Sequence, residues 1–218
     1  MRKIIIRVAI AAVILLAGIG VFQWHNYQQK VEYRKEALLY FKEEDYSKTI
    51  SYLGQALKLQ SVFAGKLDLD MTCYLAESHY QLKEYDEAEK IYDKLINNDS
   101  KNAQYYILKG ECLAKSGDAK AAVKVYEQGW NSTNDTDFLE KICEIYVEQK
   151  DYDNALIYIQ KGIEQGGESK AGFMYGKIVI YEKAQEYDRA YEAAKKYVEL
   201  YPDDEAGKKE YIFLSTRI

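Results

Sequence analysis

Residues 83–88 read K-E-Y-D-E-A, and the phrase returns along the chain as E-D-Y-S-K-T (44–49), G-D-A-K-A-A (117–122), K-D-Y-D-N-A (150–155) and Q-E-Y-D-R-A (185–190). Each pairs an acid with Tyr or Ala and closes three residues further on at Thr49, Ala88, Ala122, Ala155 or Ala190. Successive closing residues are 39, 34, 33 and 35 positions apart. A near-constant period of this size marks an array of stacked supersecondary units.

The flanks of each phrase define the unit. Apolar residues at helical spacing precede it at 38–41, 74–82, 105–113, 138–147 and 173–181. They follow it at 50–57, 91–96, 123–126, 156–163 and 191–200. Each unit therefore reads as helix, tight turn, helix. Such helices are too short to persist alone, and stacking buries the face that one hairpin leaves exposed. The composition agrees: Ala, Leu, Lys, Glu, Tyr and Ile make up the bulk, proline occurs once, at Pro202, and no segment alternates as a strand would.

These residues resemble the tetratricopeptide repeat family over roughly residues 30–202. In that family a small residue stands midway along the first helix, and two small sites follow in the second. The first site matches at Ala37, Ala76 and Gly110, more loosely at Cys143, and fails at Ile178. The closing series of the phrase supplies the second site. The third matches at Ala56, Gly129 and Gly162 but is Leu95 and Tyr197 elsewhere. Small residues are expected where the helices of a hairpin cross closely. The resemblance implies an all-α, right-handed solenoid of about five hairpins, at 30–63, 69–102, 103–135, 136–169 and 171–204. A capping helix over 203–218 follows, N-capped by Asp203 or Asp204. The spacing of 39 places about five extra residues near 61–66.

Ahead of the repeats, Arg2 and Lys3 precede an apolar stretch, and residues 8–22 carry no charge. With Ile4, Ile5 and Ile6 included and Arg7 reaching to the interface, the stretch is long enough to cross a bilayer. Trp24 and Tyr27 follow where interfacial aromatic residues sit. Residues 1–24 are thus expected to be a membrane anchor, with a juxtamembrane helical segment at 25–29. A cleaved signal peptide is the competing reading; Gly18-Ile19-Gly20 is a poor cleavage site, which favours an uncleaved anchor. The basic residues nearest the membrane place the N-terminus in the cytoplasm and the repeats outside it. The alternatives are a cytoplasm-facing adaptor and a secreted protein.

Charge and reactive residues narrow the function. The formal net charge is -5, and three basic residues lie in the first seven, so the repeats are more acidic still. Nucleic-acid binding, which needs a basic face, is not expected. Cys73, Cys112 and Cys143 are widely spaced and lie in apolar helical stretches, as small hydrophobes do. His25 and His79 have no second ligand at metal-binding spacing, and no phosphate-cradling glycine loop follows a strand. No catalytic residue, cofactor or metal is assigned, and no small-molecule substrate is expected.

What remains is a binding surface. The resemblance implies that first helices of successive hairpins line a groove for a partner protein or peptide. Projected onto this chain, the groove comprises Asp70, Glu77, Tyr80, Ile107, Glu111, Asp137, Glu140, Glu144, Glu148, Tyr175, Val179 and Glu182. Arg34, Leu38 and Lys42 extend it in the first unit. A groove so rich in carboxylates suits a partner with Lys or Arg and apolar anchors. The Lys/Asn clamp by which some family members hold a C-terminal carboxylate is absent, so a chaperone-tail co-factor is not implied.

Overall fold

A computed structural model describes residue 1 and residues 4–218 of the chain. Arg2 and Lys3, on which much of the expected orientation rests, lie outside the described residues. Among the described residues there are eleven α-helices and no strand: α1 (Arg2–Lys42), α2 (Tyr46–Lys58), α3 (Gly65–Gln81), α4 (Tyr85–Asn98), α5 (Ala103–Ser116), α6 (Ala119–Thr133), α7 (Asp137–Glu148), α8 (Tyr152–Gln165), α9 (Lys170–Lys183), α10 (Tyr187–Leu200) and α11 (Glu205–Ser215). They form two compact units, Met1–Asp99 and Ser100–Ile218. The expected all-helical array of hairpins is what the fold shows.

The recurring phrase makes one local structure five times over. The residue before its acid has left-handed backbone: Glu44 (φ 60°), Lys83 (62°), Gly117 (95°), Lys150 (59°) and Gln185 (61°). The next N–H, on Asp45, Glu84, Asp118, Asp151 or Glu186, reaches back 2.9 Å to the carbonyl of Tyr40, His79, Leu113, Tyr146 or Tyr181. This is the Schellman closure, which satisfies carbonyls that the end of the first helix would leave open. Where the acid is Asp, its carboxylate then caps the second helix: Asp45 accepts from Lys48 N at 3.1 Å, Asp118 from Ala121 N at 2.9 Å and Asp151 from Asn154 N at 3.2 Å. Glu84 and Glu186 do not cap. Their longer side chains reach His79 Nδ1 (2.6 Å) and Arg189 Nη1 (2.7 Å) instead. One residue thus ends one helix and starts the next, leaving no slack in the hairpin.

Small residues hold the helices close. Ala37, Thr49, Ala88, Ala122, Ala155 and Ala190 have no exposed surface. Thr49, the one hydroxyl in the series, donates to Asp45 O at 3.0 Å, so its polarity is satisfied in place. The glycines meet aromatic rings. A Cβ at Gly110 would lie 2.1 Å from the Tyr126 ring, within one hairpin. At Gly129 and Gly162 it would lie 2.5 Å from Phe138 and Phe173, which belong to the first helix of the following hairpin. At Gly162 the expected reason therefore needs revision, because the ring of the next hairpin seats on it; Gly129 serves both roles, a Cβ there also lying 2.9 Å from Tyr106 Cβ of its own hairpin. At Tyr197 the arrangement is inverted. The large residue stands on α10, and Gly207 of α11 gives way, a Cβ there lying 2.4 Å from its ring.

In the first unit, Ala37, Leu53, Ala56 and Met71 form a core between α1, α2 and α3. Helix α1 runs without a break from the apolar N-terminal stretch into the first hairpin. Residues 4–19 are all exposed, and the helix is long and apolar enough, by length and composition, to cross a membrane. The link between the first two hairpins is an irregular segment, 59–64, that lies on α1, and the rest of the extra length extends α3 to 17 residues from Gly65. Lys30 of α1, 1% exposed, binds Asp68 of α3, and Arg34 Nε donates to Asp70 Oδ2 at 2.6 Å. In the second unit, Ile178, Tyr181, Ala190, Ala194, Tyr197 and Leu214 close the core under α11. Asp204 caps that helix, accepting from Ala206 N (2.8 Å) and Gly207 N (3.0 Å), and Tyr197 Oη donates to it at 2.6 Å.

Candidate functional site

The first helices α3, α5, α7 and α9 carry the groove residues from Asp70 to Glu182, divided between the two units, and α1 carries Arg34, Leu38 and Lys42. In the first unit, Asp70 is occupied by Arg34, Glu77 accepts from Gln81 Nε2 at 2.6 Å, and the Tyr80 ring meets Tyr85 edge-on at 5.6 Å. These contacts consume the charge of Asp70 internally.

The second unit concentrates the acids. Asp137, Glu140, Glu144 and Glu148 follow one another along α7, all exposed. Their spacing of three or four places them on one side of the helix. Lys141 Nζ stands 3.5 Å from Glu111 Oε1 of α5 and 3.8 Å from Glu144 Oε2, joining the two helices into one cluster. Partial burial, together with the charges of Asp137 and Glu144, raises the pKa of Glu140 above the usual carboxylate range against the pull of Lys141. Ile107, half-buried on α5, lies one turn before Glu111.

A second cluster joins α9 to α11. Burial raises the pKa of Glu182, and the charge of Glu210 and a hydrogen bond to it raise it further, with Arg217 opposing. The Tyr175 ring packs edge-on against Tyr197 at 5.6 Å. Its hydroxyl pKa is raised by burial and then by Glu210, Glu182 and Asp204. Val179 is half-buried between these two residues in sequence. Glu210, Arg217 and Lys141 were not among the expected site residues. A helix read only as a cap, and a lysine among acids, carry no sequence signal that separates them from solvated surface.

The Glu182 shift has a consequence with a definite sign. The folded chain holds this proton at a pH where the unfolded chain has released it. Stability is therefore lost as pH rises from the ordinary carboxylate range through the raised value. Glu182→Gln is expected to be more stable than the parent at pH 7, with the gap closing as pH falls below about 4. Urea midpoints at the two pH values check this; a gap that widens on acidification would contradict it.

Among the described residues no group of three or more His, Cys, Asp or Glu could hold a metal ion. Cys112 and Cys143 are buried, and burial pushes the Cys143 thiol pKa up to about 11, far from an active thiolate. His79 is half-buried and engaged with Glu84. A groove of about 450 Å³ between α8 and α10, over α9, is lined by Lys177, Tyr181, Arg189 and Lys196 among others, and none of the expected residues faces it.

Helical hairpins closed by a shared turn, with small residues at their crossings, define a helical-repeat interaction protein. The chain belongs to the tetratricopeptide repeat family: profiles of that family match residues 71–216 and 34–103. Solved structures share the fold. A tetratricopeptide repeat protein from Parabacteroides merdae has TM-score 0.61 at 15% identity, covering 86% of this chain and 72% of its own. MamA has TM-score 0.59 at 17%, covering 79% and 91%. YrrB, described as having an unusual peptide-binding site, has TM-score 0.51 at 18%, covering 81% and 89%. No curated protein sequence matches the chain.

Proposed function

We propose that the chain is a membrane-tethered, non-enzymatic scaffold that holds a protein or peptide partner along the first helices of its hairpins, through Lys or Arg side chains and apolar anchors. The observation that carries this reading is the acid row of α7, four exposed carboxylates of which Glu144 shares Lys141 with Glu111 of α5. A basic segment laid there gains from a field already in place. Exposed ion pairs contribute only ~0–1 kcal/mol each, so Ile107, Tyr175 and Val179 would supply much of the affinity, and the charges would speed encounter. The family supports a binding role, and a peptide site is described for YrrB.

The tether rests on α1. Residues 4–22 would rise about 28 Å as a helix, close to the thickness of a bilayer core. In water their exposed surface would have nothing to cover it. The basic residues at the N-terminus favour a cytoplasmic start and hairpins on the opposite side.

The test of the groove uses synthetic peptides that combine Lys or Arg with Leu, Phe or Tyr, titrated against the immobilised chain. Changing Glu140, Glu144 and Glu148 together to Gln should slow association roughly tenfold at low salt and have little effect at high salt. Unchanged rates and unchanged salt dependence would remove α7 as the docking site.

A further inference from the structure

We infer that the segment inserted between the first two hairpins, residues 59–64, is a footing that seats on the polar–apolar boundary of a lipid bilayer. The inference rests on the reading of α1 as a membrane tether. It starts from the repeat spacing: the first interval is about five residues longer than the others, and the link there runs to six residues without helix, where the other inter-hairpin links have three or four.

The segment is fastened at one height of α1. Ser61 Oγ donates to Gln23 O at 3.0 Å, and Val62 N–H donates to Gln23 Oε1 at 3.0 Å. Asn26, 6% exposed, donates through Nδ2 to Gln60 O at 2.8 Å. Gln23 is the first residue beyond the apolar run, so the polar backbone of the insert is held at the level where the proposed span ends. Lys30 with Asp68 and Arg34 with Asp70 continue the same seam upward.

What the segment presents there is apolar. Val62 is 80% exposed and Phe63 54%, and the Phe63 ring meets Trp24 edge-on at 6.3 Å. Trp24, itself exposed, stacks on Tyr27 at 5.6 Å. Four large side chains from two separate stretches of chain thus form one patch around the end of the span. Aromatic rings with one wet end favour that depth of a bilayer. Continuity with the apolar helix, and not apolarity alone, is what selects lipid as the occupant. A helix by itself is free to turn about its axis. A second contact beside it would fix that rotation and so the direction in which the hairpins face.

The test places the full chain in dioleoylphosphatidylcholine vesicles doped with a phosphatidylcholine that carries a diazirine near the ester end of its acyl chain. After photolysis, labelled residues are mapped by mass spectrometry. Val62 and Phe63 are expected to be labelled as strongly as Trp24, and about tenfold above Leu39 and Leu82, exposed apolar residues of the same unit. Leu39 stands about 22 Å further along the same helix than Trp24. Labelling of residues 4–22 and Trp24, with Val62 and Phe63 no higher than Leu39, would overturn the footing and leave the tether standing. No label in residues 4–22 would overturn the tether and the footing with it.

Discussion

Phe138→Ala is expected to destabilise the second unit by about 3–5 kcal/mol, the range for removing a fully buried phenylalanine ring. The ring has no exposed surface and packs edge-on against Tyr106 at 6.3 Å. It also seats on Gly129, where even a Cβ would be 2.5 Å away. Deleting the ring therefore empties a junction of α5, α6 and α7, and the close backbone approach at Gly129 leaves little freedom to refill it. In a repeat array the loss falls first on the hairpins that share the junction. Amide exchange in α6 and α7 should accelerate most, and the urea midpoint of the unit should fall. Ile157→Ala, at a residue 51% exposed, should change stability by no more than about 0.5 kcal/mol. Equal midpoints for the two variants would show that the ring is not the keystone of this junction.

Asp68→Ala should be nearly as damaging in the first unit, at about 3 kcal/mol, because it strands a buried ammonium. Lys30 is 1% exposed and Asp68 is its carboxylate partner, itself about a third exposed. That exposure puts the cost at the low end of the range for breaking a buried pair. The informative variant is the double replacement Lys30→Met with Asp68→Leu. Removing both charges removes the need for either, and most of the lost stability should return. A double variant no more stable than Asp68→Ala would mean that the contact between α1 and α3 depends on the ion pair itself.

The hairpins were legible because their turns recur with the same acid and the same small closing residue. The left-handed residue inside each turn was not. Glu44, Lys83, Lys150 and Gln185 hold positive φ without being glycine, and the Schellman hydrogen bonds that hold them there are made by backbone atoms, which leave no trace in side-chain identity. The small sites were legible as positions but not as contacts. Gly129 is a crossing within its own hairpin, against Tyr106, but both it and Gly162 also face a phenylalanine nine or eleven residues further on, which the repeat pattern does not show. The failure of the pattern at Tyr197 has its answer in Gly207, on a helix outside the repeat register. The acids of α7 could be placed on one side by spacing alone. Their link to Glu111 through Lys141, and that of Glu182 to Glu210, join residues 28 to 33 positions apart. Only the stacking of helices makes those pairs neighbours.

The unbroken course of α1 has a mechanical consequence. A helix with no glycine or proline kink beyond the apolar run is a shaft, and whatever tilts its lower part tilts its upper part equally. From Gln23 to Lys42 it rises about 30 Å, so a change of roughly 10° in tilt would swing its upper end sideways by about 5 Å. With the lower part in a bilayer, thinning or thickening of the lipid would be converted into lateral displacement of the first hairpin. A load on that hairpin would in turn be felt as torque within the membrane.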